Sequence, residues 1–145
     1  MLERLAVRAA LDHSFGSTKA GLRIVIDPMI VHANDAPGNR DSTLRESSRN
    51  AYLAQAFRAR SLPRDSVLAC NPRPCKLRDA DVLVTLSEPA ILGDKATVTV
   101  TTLRPVHLTS PRQVPIETQY QTINVRFEKR GASWQVVGFD DLGMS

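Results

Sequence analysis

"KATVTVTTL", residues 95–103, decides how the second half of this chain is read. Val98, Val100 and the methyl side of Thr102 fall on one face of an extended strand, and Thr97, Thr99 and Thr101 on the other. A period of two sustained over this length specifies a strand with one apolar and one polar side. Its neighbours continue the pattern. "DVLVTLS" (81–87) precedes it across "EPAILGD" (88–94), a turn-bearing connection. "RPVHLTSPRQVP" (104–115), with three prolines, reads as a loop. "TQYQTINVRFEK" (118–129) then alternates Tyr120, Thr122, Asn124 and Arg126 against Gln121, Ile123, Val125 and Phe127. "KRGA" (129–132) is a short Gly-containing hairpin loop, and "SWQVVGF" (133–139) closes the sheet.

The first half reads differently. Leu2, Leu5, Ala6, Ala9 and Ala10 recur at helical spacing and predict a helix over 2–13, broken by Ser14, Gly16, Ser17 and Gly21. "LRIVIDPMIV" (22–31) is rich in β-branched residues, with Pro28 placing a kink or bulge between two short extended pieces. Residues 32–41, "HANDAPGNRD", are turn chemistry. Thr43 with Glu46 three residues on is a capping box. It predicts a second helix from there, carrying Leu44, Ala51, Leu53, Ala54 and Phe57 on its buried stripe and failing by Ser61 ahead of Pro63. Residues 61–79 are basic and broken by prolines, with one short extended piece, "SVLAC" (66–70).

Helices grouped ahead of a run of strands predict an α+β fold, a single domain over 1–145. In it, a curved antiparallel sheet of about four to five strands is packed by two helices. The order of elements resembles the NTF2-like (cystatin-like α+β) superfamily. The second helix leading into the strands carries the likeness, as does the closing hairpin "NVRFEKRGASWQVVGF" (124–139), with its charged Gly turn and Trp-containing last strand. The resemblance implies a sheet wrapped around helices as a cone, whose interior binds a small ligand, hosts a reaction or is simply filled. The chain departs from the family in showing one helix, not two, before its first strand, and in its long proline-rich 61–78 segment.

Composition bounds the rest. A chain of 145 residues with 42% apolar side chains can bury roughly two-thirds of its unfolded surface. Aromatics are only 5%, so the core must rest on Val, Leu, Ile and Ala. No apolar run approaches the ~20 residues of a membrane span. The opening "MLERLAVRAALDHSF" is interrupted by Glu3, Arg4, Arg8 and Asp12 and lacks the apolar middle of a signal peptide. The protein therefore either stays in the cytoplasm or begins after a removed signal.

Cys70 and Cys75 in "LACNPRPCKL" (68–77) bear on that choice. A zinc site wants four ligands and a second close-spaced pair. His13, His32 and His107 share no such motif, and a thioredoxin-type centre wants Cys-x-x-Cys opening a helix. A local disulfide is the favoured reading. The spacing permits the ~5.5 Å Cα separation of a bridge, and so small a ring would add roughly 2 kcal/mol of stability. Two free thiols are the alternative. A disulfide would favour an exported protein over a cytoplasmic one.

Three further groups carry candidate chemistry. Arg58, Arg60, Arg64, Arg73, Lys76 and Arg78, with only Asp65 against them, could hold an anion or nucleic acid. No aromatic is interleaved to stack on bases, so a solvated connector is preferred. Asp27, His32 and Asp35 could form an acid/base cluster, against the plainer reading that Asp27 caps a turn and His32 is solvated. "NDAPGNRD" (34–41) faintly resembles a calcium loop but lacks its terminal bidentate Glu. Tyr120 and Trp134 are read as core or cover residues, with a ligand shelf as the alternative.

These readings favour a non-enzymatic ligand-binding or accessory domain with a concave sheet pocket, for an unidentified small molecule or protein partner. No metal or cofactor is expected, and nucleic acid is disfavoured. The first alternative is a small isomerase- or hydrolase-type pocket enzyme using Asp27 and His32, the second an anion or nucleic-acid binder using residues 58–78. A free sheet edge leaves room for a homodimer.

Overall fold

A computed structural model describes residues 2–16, 21–31, 44–46, 48–61, 80–106 and 117–144. Helix α1 spans Leu2–Phe15, two residues longer than its spacing predicts. Leu2, Ala6, Val7, Ala10 and Leu11 form its buried stripe, and the alanines let its backbone approach the sheet closely. Glu3 is buried in the first turn, where unpaired amides favour a carboxylate. The helix gives way to Gly16, whose φ of 53° is the left-handed geometry of a C-terminal stop.

Strand β1 (Arg23–Val31) then runs into the sheet. Strand β4 (Asp81–Ser87) lies parallel to it: Arg23–Ile26 pair with Asp81–Val84, and pairing resumes at Ile30 with Leu86. The extra length between Ile26 and Ile30 is the bulge expected at Pro28, which has no N–H for the ladder. Two short strands line the other edge of β1. These are β2 (Leu44–Glu46), antiparallel to Met29–Val31, and β3 (Arg60–Ser61), parallel to Val25–Ile26.

The second half is the expected meander, extended. β5 (Ala90–Leu92) turns at Gly93 into β6 (Lys95–Val106), and β6 pairs with β7 (Glu117–Arg130). β7 turns at Gly131 into β8 (Ser133–Met144). In both turns the glycine has positive φ, 64° and 65°, and the residue after it does not. That is the glycine-first pattern of a two-residue hairpin matched to strand twist.

The α+β class stands, with corrections. Among the described residues the sheet has eight strands, not four to five, six of them on the path β2-β1-β4-β6-β7-β8. It is mixed rather than wholly antiparallel, because β1 and β4 run the same way. Parallel neighbours require a long crossover, usually carrying a helix. Helix α2 (Ser48–Ala56) lies in that connection. The capping-box reading of Thr43 and Glu46 is overturned as well. Leu44 and Glu46 belong to strand β2, and the helix begins at Ser48, because pairing with the end of β1 outweighs a local cap. "AIL" (90–92) is a strand within the expected turn, and β6 continues through Pro105 to Val106. The piece predicted at 66–70 lies outside the described residues.

Alternation sorts the side chains into two faces. On the helix face, Ile26, Val82, Val84, Leu86, Ala96, Val98, Val100, Ile123, Val125 and Phe127 are buried with the α1 stripe and with Leu53 and Ala54 of α2. Thr102 is buried on this side, as its place in "KATVTVTTL" requires. The reverse face carries a smaller apolar cluster of Val25, Leu83 and Leu103, with Tyr120 packed on it.

Helix α2 ends in a Schellman motif: the Ala59 N–H donates to the Ala54 carbonyl at 2.8 Å and the Arg58 N–H to the Gln55 carbonyl at 3.1 Å. Arg58 holds the left-handed position at φ 51°, which is unfavourable for a side chain with a Cβ. Arg58→Gly is therefore expected to raise stability by about 1 kcal/mol, read as a higher urea midpoint with unchanged slope. An unchanged or lower midpoint would contradict this backbone geometry.

Candidate functional site

Strand register lays unlike chemistry in rows on the reverse face of the sheet. In the first row Arg23 of β1 stands opposite Asp81 of β4. In the second, Arg60, Val25, Leu83, Leu103 and Tyr120 follow one another across five strands. The Arg60 side chain reaches back to the first row. Asp81 is fully buried, with Arg23 Nε 3.3 Å from its Oδ1 and the Arg60 guanidinium bonded to its Oδ2. Both arginines are about half exposed, at 59% and 51%. One buried carboxylate thus ties three strands together while its cations stay wet. A carboxylate in that position is stabilised only if paired and hydrogen-bonded.

The next rows are hydroxyls. Asp27, buried at the bulge, accepts a hydrogen bond from Thr85 Oγ1 at 3.3 Å. Thr85 stands opposite Thr101, and Thr101 opposite Thr122, with their hydroxyls 3.2 Å apart. Beyond them the Thr99 N–H donates to Ser87 Oγ at 2.9 Å, and Thr99 Oγ1 donates to Asn124 Oδ1 at 2.6 Å. Cross-strand hydrogen-bonded pairs of this kind stabilise a sheet modestly. Thr99 and Thr101 on the polar side of "KATVTVTTL" are therefore partnered within the sheet.

A third cluster lies on the helix face, at the end of α1. The His13 ring stacks on Phe139 with centroids 4.3 Å apart, and its Nε2 is 3.5 Å from Asp141 Oδ1. On the reverse face of β7 and β8, Arg126 Nε is 3.1 Å from Asp140 Oδ2. Arg126 can lie flat there because its register partner is Gly138. A Cβ on Gly138 would collide with the Arg126 guanidinium.

Among the described residues, those singled out from sequence do not converge on one site. Asp27 points away from the helices, since Ile26 beside it joins the helix-face core and its partner Thr85 lies between Val84 and Leu86 of that core. His32 and Asp35 lie outside the described residues, as do the 34–41 loop, Cys70, Cys75, Arg64, Arg73, Lys76 and Arg78. Of the basic set, Arg58 forms the end of α2 and Arg60 is engaged with Asp81. Tyr120 packs on the reverse-face cluster. Trp134 packs against the main core with Lys129 Nζ 5.9 Å from its ring centroid.

Sequence reading missed Asp81, Arg23 and His13. Only Asp81 carried a signal: an acid opening the otherwise largely apolar strand "DVLVTLS". Among the described residues no three His, Cys, Asp or Glu side chains converge as a metal site. No helix among them is long and apolar enough to cross a membrane. No protein-family model matches the chain, and no curated protein matches it.

Proposed function

We propose that this chain is a non-enzymatic binding or accessory domain of NTF2-like architecture, whose binding space lies between the sheet and the two helices and takes an apolar small molecule or an apolar segment of a partner. One observation carries this reading: the ionisable groups at the centre of the sheet serve the sheet itself. Asp81 is held by two arginines and Asp27 is turned to the reverse face beside Thr85. A general acid or base must come within hydrogen-bond reach of a substrate proton. A carboxylate clamped by Arg23 and Arg60 is poorly placed for that.

The interface beneath the helices, by contrast, has an apolar lining of buried side chains, among them Ile26, Val84, Val98, Val100, Val125 and Phe127. Such a lining recognises a ligand by shape and apolar burial. The pocket-enzyme alternative would have to run its chemistry on the reverse face, where Asp27 lies.

Methyl chemical-shift mapping with a panel of medium-chain alcohols and aromatic hydrocarbons tests the proposal. Saturable shifts confined to Ile26, Val98, Val100 and Val125 are expected, together with a rise in Tm. Shifts confined to Thr85, Thr101 and Thr122, or no saturable binding across the panel, would overturn it.

A further inference from the structure

The two edges of the sheet are unlike. On one side, the outer edge of β1 is taken up by two short strands, β2 and β3. On the other, β8 runs for twelve residues, and among the described residues it pairs only with β7. A long free edge offers a row of unpaired N–H and C=O groups to another strand, and proteins that remain monomeric usually blunt it with Lys, Pro or a short strand. β8 contains neither Lys nor Pro.

Its bulges also have an unusual character. Pairing jumps from Arg126/Gly138 to Phe127/Val136 and from Thr122/Gly143 to Ile123/Asp141, so the extra residues are Val137 and Leu142. Both are exposed, at 44% and 56%, and Val136 is exposed beside them. A bulge that served only to keep other strands away would gain more from a charge at these positions.

The charges lie at the ends instead. Asp140 and Asp141 mark one end of β8, while Lys129 and Arg130 sit at the turn that opens the other. Both aspartates keep exposed carboxylates, 49% and 63%, despite Arg126 and His13 beside them. An edge with acids towards one end of β8 and the basic pair of β7 at the turn before the other complements itself in only one orientation. Antiparallel pairing brings each acidic end to the other's basic turn, whereas parallel pairing would set acid against acid.

We propose that the outer edge of β8 pairs antiparallel with the same edge of a second copy of this chain, about a two-fold axis near Val136 and Val137, with Asp140 and Asp141 of each copy facing Lys129 and Arg130 of the other. The contact is self-complementary and closed, as two-fold symmetry requires. It joins the two sheets into one, and it does not depend on the space beneath the helices.

Sedimentation velocity across a concentration series tests it. The unaltered protein is expected to form a dimer that weakens as salt rises. Val136→Lys and Val137→Lys should each weaken the dimer tenfold or more, as should Lys129→Glu/Arg130→Glu. Leu92→Lys, at the far more exposed β5 turn, should leave it unchanged. Hydrogen exchange on the unaltered protein keeps the test independent of how the variants fold, because β8 amides should become more protected as concentration increases. A monomer at every concentration would overturn the proposal. So would a dimer that resists the β8 substitutions but yields to Leu92→Lys, or one that forms with no change in β8 protection.

Discussion

Removing both arginines that flank Asp81, as Arg23→Met/Arg60→Met, is expected to lower stability by about 3–5 kcal/mol. Asp81→Asn added to that double variant is expected to recover most of the loss. The asymmetry follows from which partner is buried. Asp81 has no exposed surface, whereas Arg23 and Arg60 keep half of theirs. Deleting the aspartate frees two cations that water already solvates. Deleting the cations strands a carboxylate in the sheet, and an uncompensated buried charge is among the costliest defects a core can hold. Each single arginine variant should cost less than half of the double, because the remaining cation and the other contacts of Asp81 still serve it. Urea denaturation of the full set of variants measures this coupling. If the double variant proved no weaker than the sum of its singles, or if Asp81→Asn gave no recovery, Asp81 would not be the tie between β1, β3 and β4.

Phe127→Ala is expected to cost about 3–5 kcal/mol as well, for a different reason. Among the described residues Phe127 is the bulkiest fully buried side chain, and it lies on β7 beneath the helices. Truncation removes its apolar burial and leaves a cavity that α1 and the sheet cannot close without moving backbone. Tyr120→Ala, on the smaller reverse-face cluster and only partly buried, should cost clearly less. Equal losses at the two positions would mean that the two faces of the sheet contribute alike, contrary to the packing described above.

The sequence made the faces of the sheet legible wherever the signal was local. The alternation in "KATVTVTTL" places Val98, Val100 and Thr102 inside and Thr97, Thr99 and Thr101 opposite. A one-residue slip would have inverted every one of them. The bulge at Pro28 was readable too, because the missing N–H is a property of the residue itself.

Pairings between distant segments were not readable. The parallel match of β1 with β4 joins residues such as Asp27 and Thr85, 58 positions apart, and neither strand announces its partner. The same limit explains strand β2: Leu44–Glu46 carries helix-start chemistry, and only the end of β1 makes it a strand. The Arg23–Asp81–Arg60 tie draws on three elements, and the stacking of His13 on Phe139 joins the first helix to the last strand. Chemistry assembled by register rather than by motif leaves almost no trace in a single sequence.

The apolar binding space between sheet and helices requires α1 to lie across the apolar face of the meander. Methyl-to-methyl NOEs test this most directly. Ala6, Val7, Ala10 and Leu11 should show cross-peaks to methyls of β6 and β7, namely Val98, Val100, Ile123 and Val125. If the α1 methyls gave cross-peaks only to one another, the helix would not cover this sheet, and the apolar binding space assigned between them would not exist.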